Sequence, residues 1–426
     1  MTQWLLAAAL IATAAASLRR FPAFHPAQLW AVPWAIAAFA FALHLLPYQQ
    51  IRFSSALLIF LSVAGFVAGT DYARRRGLVL GPPRLRLASW GGELDLERSA
   101  AVAFGLALTW CLAFVAQAVI RFGWADVISA DYAVRQAIGA GDFALTIKFV
   151  YAALGSAAIA AAVAGWAPTA ARRRLWLALA TASVAMIYLA TGRSTLIAAA
   201  VIALVAFSMS SGIRLSRRRV AIGALIAAAG ALGIFVAGGA LANKTFVNNT
   251  DLIRVPSAFN GDDDLPDWMA LPYEYISAPI AAADVQFSYI EPVGGSWGCA
   301  TLPEACAVLK SLGFGVEPID RVRPFTARPL RWNTYTSLDV PALDFGWLLT
   351  WPVFIALGIL SGALWGRAVS RGPASIALYS LLAPALITGF NVFNFTATHV
   401  IGSMLYAVAV IWVVGAFSRR RQEDVR

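Results

Sequence analysis

Long apolar runs separated by short polar breaks dominate this chain. A bilayer core takes about 20 consecutive apolar residues per helix. On that rule the runs near 2–18, 28–47, 53–70, 99–120, 144–166, 175–190, 195–210, 220–242, 346–364, 374–389 and 399–417 predict eleven membrane spans. One polar stretch is unlike the others. Residues 243–345 are rich in Tyr, Trp, Pro, Asp and Arg, too long for a connector, and too broken by Pro and Gly to form a separate nucleotide-sugar domain. The pattern predicts short helices lying on the outer leaflet there, between spans 1–8 (1–242) and spans 9–11 with a tail (346–426). No internal repeat of the transporter kind is visible.

Composition agrees: of 426 residues 60% are hydrophobic and only 13% charged, against roughly 25% charged in soluble domains. The net charge of +11 resembles a nucleic-acid signature until the basic residues are placed. They cluster at the ends of apolar runs: Arg19 with Arg20, Arg74 to Arg76, Arg172 to Arg174, Arg217 to Arg219, Arg367 with Arg371, and Arg419 to Arg421. All fall on one side of the eleven-span topology, which the positive-inside rule makes cytoplasmic. The expected orientation therefore puts the C-terminus in the cytoplasm and the N-terminus on the opposite face of the membrane, with no nucleic-acid partner. The first run lacks the basic residues that precede the core of a signal peptide, so it is expected to stay as a helix. Cys111 lies in a span, whereas Cys299 and Cys306 fall in the long outer segment, where a disulfide is permitted.

Arg193, in "YLATGRSTLIAAAV", interrupts apolar sequence on the face where arginine is not favoured. It either snorkels to the headgroups or forms an anion site, as intramembrane charge generally suggests. Arg135 in "ADYAVRQAIGAGDF" and Lys148 offer weaker versions of the same choice. The long segment holds "MALPYEYISAPIAAAD" (269–284), with Tyr273, Glu274 and Tyr275, and "RPLRWNTYTSLDVPALDFGW" (328–347), with Arg331, Asn333, Tyr335, Thr336 and Asp344. Aromatics beside amides, hydroxyls and carboxylates suit a sugar site; an interfacial Tyr/Trp belt is the alternative. The acidic turn "GDDDLPDW" (261–268) reads as solvated. His399 in "ATHVIG" is a further candidate with no evident metal partner.

The ordered set "TGRSTLI" (191–197), "YEYISAPI" (273–280) and "NTYTSLDVPALDFGWLLTWPVFIALGILSGALWG" (333–366) resembles the bacterial oligosaccharide repeat-unit polymerases, the O-antigen polymerases of the Wzy type. The resemblance covers about half the chain and implies an all-α, polytopic glycosyltransferase similar to the membrane-embedded GT-C-like enzymes. Donor and acceptor would both be polyprenyl (undecaprenyl) pyrophosphate-linked oligosaccharides, with membrane lipids and a chain-length regulator as partners and neither metal nor nucleotide cofactor. Arginine suits a pyrophosphate leaving group, because it pairs with phosphate oxygens and keeps its proton. Arg193, then Arg135, then Arg254 or Arg331 are the expected clamp. Glu274 and Asp344 are the candidate catalytic carboxylates, Asp344 alternatively capping a helix at Gly346. Tyr273, Tyr275, Asn333, Tyr335 and Thr336 are the candidate glycan contacts. An O-antigen ligase, a polysaccharide flippase and a non-catalytic assembly partner are the competing expectations.

Overall fold

The computed structural model of the chain describes residues 1–45, 50–79, 93–128, 144–189, 193–212, 267–288, 290, 295–296, 298–316, 336–395 and 397–424. Among these every regular element is a helix: α1 (Thr2–Arg20), α2 (Pro26–Leu43), α3 (Phe53–Arg75), α4 (Glu93–Phe122), α5 (Trp124–Ile128), α6 (Ala144–Trp166), α7 (Ala170–Leu189), α8 (Arg193–Ser210), α9 (Asp267–Phe287), α10 (Pro303–Ser311), α11 (Asp339–Arg371), α12 (Pro373–Ile387) and α13 (Thr398–Asp424). Six of them, α2, α3, α4, α6, α11 and α13, are long and apolar enough to cross a membrane, and α8 and α12 contribute shorter apolar stretches. Large apolar side chains are left facing outward on them, among them Leu112, Ile120, Leu360, Leu405 and Trp412. In water such faces would drive association; in lipid they are solvated. The chain is an all-helical, multi-pass membrane protein. Ten of the eleven expected spans coincide with a helix, α1 and α7 among them, and the span expected at 220–242 lies outside the described residues.

The chain divides into two compact units, the first comprising Met1–Leu78, Phe246–Ala363 and Ala385–Thr396. Its α3 and α11 pack through two Gly-xxx-Gly pairs, Gly65/Gly69 and Gly358/Gly362. A Cβ on Gly69 would lie 2.2 Å from the Ile355 carbonyl oxygen, and one on Gly358 would lie 2.2 Å from the Phe66 carbonyl oxygen. Only glycine allows backbones this close. Gly65 faces Trp351 and Ile355, Gly69 faces Ile355 and Ile359, and Gly362 faces Thr70 and Ala73. Residue numbers rise together along both helices, so the two run parallel.

At the C-terminal end of α3 the buried Asp71 carboxylate is shared by Arg20 (2.7 Å), Arg74 (3.0 Å) and Arg75 (2.7 Å). This ties the last turn of α1 to the last turn of α3. Beside it His25 stacks on Phe21 at 4.2 Å and caps α2, its Nδ1 accepting from the Ala27 N–H at 3.2 Å.

The second unit comprises Val79–Thr245, Leu364–Pro384 and Ala397–Arg426. Its centre is α6, whose alanines Ala152, Ala153, Ala157, Ala158, Ala160, Ala162 and Ala164 are fully buried. A helix apolar all round must be surrounded, and α4, α7, α8 and α13 surround this one. Phe149 stacks on Phe114 of α4 at 5.6 Å, and Ser156 shares a 2.9 Å hydrogen bond with Ser183 of α7. Gly155 lies under Tyr406 and Gly402 lies under Tyr151, which makes α6 and α13 parallel as well.

Candidate functional site

The first unit gathers polar chemistry at the end opposite Asp71. Helix α9 is held against the tip of the α2–α3 hairpin at two points, near its start and near its end. At the first, the Tyr273 hydroxyl donates to the Ala40 carbonyl at 2.5 Å and accepts from the Leu45 N–H at 3.0 Å. Burial pushes this phenol above the usual tyrosine range, opposed by the hydrogen bonds it receives. At the second, the Arg52 guanidinium and backbone N–H reach the Asp284 carboxylate at 3.1 and 3.2 Å, and the guanidinium also bonds the Asp284 carbonyl. Both points lie near where α2 ends and α3 begins, so the two contacts fasten α9 to that end of the hairpin. Residues 277–284 of α9 are all buried, so this stretch is covered on every side, while Tyr275 is 39% exposed.

The second component is a disulfide. Cys299 and Cys306 are bonded, with Cα atoms 5.5 Å apart, as expected of an outer segment. The loop they close is fastened to the entry of α11: Asp344 accepts from the Ala300 N–H at 2.8 Å and the Thr301 N–H at 2.6 Å, one on each carboxylate oxygen. Ser296 Oγ donates to the Leu343 carbonyl at 3.0 Å. Asp344 is fully buried. Its carboxylate therefore caps the 299–301 turn, and not the helix that resumes after Gly346, whose φ of +77° breaks α11 there. With both oxygens accepting backbone N–H groups, Asp344 has the geometry of a positioning residue. Thr336 is buried too, its Oγ1 accepting from the Leu338 N–H at 3.4 Å.

Because α3 and α11 are parallel, the Arg52–Asp284 contact at one N-terminus and the Asp344 clamp near the other share an end of this unit. Tyr273 and Asp344 thus lie at the same pole. No family model and no curated protein matches the chain. The assignment of chemistry rests on the residues themselves.

Of the other candidates, Glu274 sits on α9 and Arg193 is the first residue of α8; the side chains of both lie outside what is described. Arg135, Arg254, Arg331, Asn333 and Tyr335 lie outside the described residues altogether. Arg193, Lys148 and His399 belong to the second unit, and Tyr273, Glu274, Tyr275, Thr336 and Asp344 to the first. His399 is half-buried in the first turn of α13, its carbonyl accepting from Ser403 Oγ at 2.5 Å. Among the described residues no group of three or more His, Cys, Asp or Glu side chains could hold a metal ion. The residue that sequence reasoning missed is Arg52. It is an isolated arginine between two apolar runs, the same signal that marks Arg193 in the sequence.

Proposed function

We propose that the protein is a membrane glycosyltransferase that polymerises polyprenyl-pyrophosphate-linked oligosaccharide repeat units into a surface polysaccharide. One observation carries the reading: Tyr273 and Asp344, from two of the three sequence motifs that resemble repeat-unit polymerases, lie at a single pole of the first unit. In this reading an acceptor hydroxyl oxygen attacks the anomeric carbon of the donor glycan. The bond from that carbon to the pyrophosphate oxygen breaks, and polyprenyl pyrophosphate leaves with its electron pair. The acceptor proton passes to a carboxylate, for which Glu274 on α9 is the candidate. Arg193, with Arg135, Arg254 or Arg331, neutralises the departing pyrophosphate. Asp344 orients the disulfide loop. Tyr275, Asn333, Tyr335 and Thr336 contact the glycan. Tyr273, whose hydroxyl is already engaged with α2, contributes a ring face at most.

One further feature supports the expected topology in an inner membrane. The disulfide occupies one pole of the first unit and five arginines (Arg19, Arg20, Arg74 to Arg76) the other, as an oxidising outside and a positive inside require.

The test is polymerisation by the purified protein of its polyprenyl-pyrophosphate repeat unit, resolved as a ladder, with wild type beside Arg193→Ala. A ladder made by the wild type and lost in a folded Arg193→Ala is expected. Transfer of glycan to a lipid A core without a ladder would identify a ligase. Movement of substrate across vesicles without transfer would identify a flippase.

A further inference from the structure

The chain after α12 turns inward instead of staying at the surface of the first unit. A Cβ on Gly389 would lie 2.1 Å from the Trp30 ring, and the Phe395 ring packs 5.5 Å from that of Trp30 and 6.0 Å from that of Phe66. Trp30 itself stacks on Phe66 at 4.7 Å and packs on Phe354 at 5.4 Å. Phe66 lies near the middle of α3 and Phe354 well inside α11, so the irregular backbone of 388–395 sits level with the interior of the helices. A second broken segment meets it there. The Ser337 N–H, in the turn that opens α11, donates to the Gly389 carbonyl at 2.9 Å.

In a bilayer, non-helical backbone at this depth is tolerated where protein buries it or where it lines a polar cavity, and broken helices commonly form binding sites. The Ser337–Gly389 bond joins the two segments, which carry Thr336, Ser337, Asp339, Thr388, Asn391 and Asn394, and Phe393 and Phe395 of the second pack on each other at 5.6 Å. Some of these groups satisfy one another: Asn394 Nδ2 donates to Thr388 Oγ1 at 3.1 Å. Two polar atoms do not. Ser337 Oγ, on a residue with no exposed surface, and Asn391 Oδ1 are both buried without a hydrogen-bond partner in the protein. Native structures rarely leave such groups unmatched unless something else binds them.

We propose that this junction binds one sugar ring of a lipid-linked glycan, with ring hydroxyls bonded to Ser337 Oγ and Asn391 Oδ1 and a CH face against Phe393 or Phe395. The proposal deepens the polymerase reading and takes its substrate class from it. The chemistry selects a sugar over a phosphate, because neither 336–346 nor 388–397 contains a Lys or Arg. Neutral hydroxyls and an amide beside aromatic faces match a carbohydrate's alternation of hydroxyl edge and apolar face.

The experiment uses the full chain in lipid nanodiscs free of sugar detergents. Saturation-transfer NMR is recorded with a panel of free hexoses, 6-deoxyhexoses and N-acetylhexosamines, and each sugar is competed with inorganic pyrophosphate. The expected result is transfer to at least one sugar, undisturbed by pyrophosphate, with Kd raised about tenfold in Ser337→Ala and in Asn391→Ala, the loss of one hydrogen bond each. Because neither atom bonds the protein, both variants should keep the wild-type thermal midpoint. No transfer from any sugar, displacement by pyrophosphate, wild-type affinity in the variants, or a lowered midpoint in Ser337→Ala would each overturn the proposal. Binding needs no glycosyl transfer, so a chain that binds sugar here but makes no ladder refutes the polymerase reading alone.

Discussion

Replacing Gly358 by alanine would test the parallel crossing of α3 and α11. The added Cβ would meet the Phe66 carbonyl oxygen at 2.2 Å, and the equivalent change at Gly69 would meet the Ile355 carbonyl oxygen at 2.2 Å. Neither obstacle is a side chain that can swing away. A carbon and a carbonyl oxygen rest at about 3.3 Å or more, so the helices must part by about 1 Å. A gap of that size forfeits roughly a quarter to a half of each dispersion well of about 0.1–0.2 kcal/mol. Over the few tens of atom pairs along such a crossing the loss is about 1–3 kcal/mol, the usual range for overpacking. Alanine's better helix propensity returns up to about 1 kcal/mol, leaving a net destabilisation of about 1–2 kcal/mol. The control is Gly105→Ala in α4, where an added Cβ meets nothing within 4 Å and only the propensity gain remains. Unfolding of the purified chain in mixed micelles, titrated with denaturing detergent, reads both. The double variant Gly69→Ala/Gly358→Ala should cost less than the sum, since one separation relieves both clashes. Shifts of the same sign and size for Gly358→Ala and Gly105→Ala would refute the close approach.

The arginine pole should make the protein acid-sensitive. Burial, with Arg74 beside it and only Asp71 pulling the other way, lowers His25 to about 3. The unfolded chain therefore takes up a proton below about pH 6.5 that the folded chain refuses. Stability is constant above that pH and falls below it, by about 2 kcal/mol between pH 7 and 5. Thermal scans across that window should show the slope, and His25→Asn should flatten it. Asp344→Asn removes one of two charge-assisted acceptors and should cost about 2 kcal/mol while exposing the Cys299–Cys306 bond to faster reduction, read by thiol labelling. Equal reduction rates would show that Asp344 does not hold the loop. Arg52→Ala should destabilise by about 1–3 kcal/mol because it strands the mostly buried Asp284. The double change Arg52→Ala/Asp284→Asn should be milder than Arg52→Ala alone, which a double-mutant cycle in the same unfolding assay checks.

Apolar run length alone marked the helices, since a span must be continuous and apolar whatever it packs on. The disulfide was also readable, from two cysteines close in sequence in a segment assigned to the outside. Long-range pairing was not. Tyr273 reads as a sugar-stacking residue until its hydroxyl is found on Ala40, 233 residues away. Asp344 offers the same composition whether it removes a proton or caps the turn at Ala300. The glycines at 65, 69, 358 and 362 are visible in the sequence, but nothing local says that the two pairs face each other. The asparagines of "NVFNFTATH" are visible in the sequence, but nothing local says that Trp30 and Phe66 hold Phe395 inward.

The loop held by Asp344 also imposes an order on synthesis. Cys299 and Cys306 are seven residues apart and precede α11 in the chain, so both partners of their bond are made before that helix. The carboxylate that fastens the loop arrives later, on a helix not yet translated. Docking of the loop therefore follows integration of α11, and a nascent chain arrested before residue 344 would carry both cysteines on a loop still undocked.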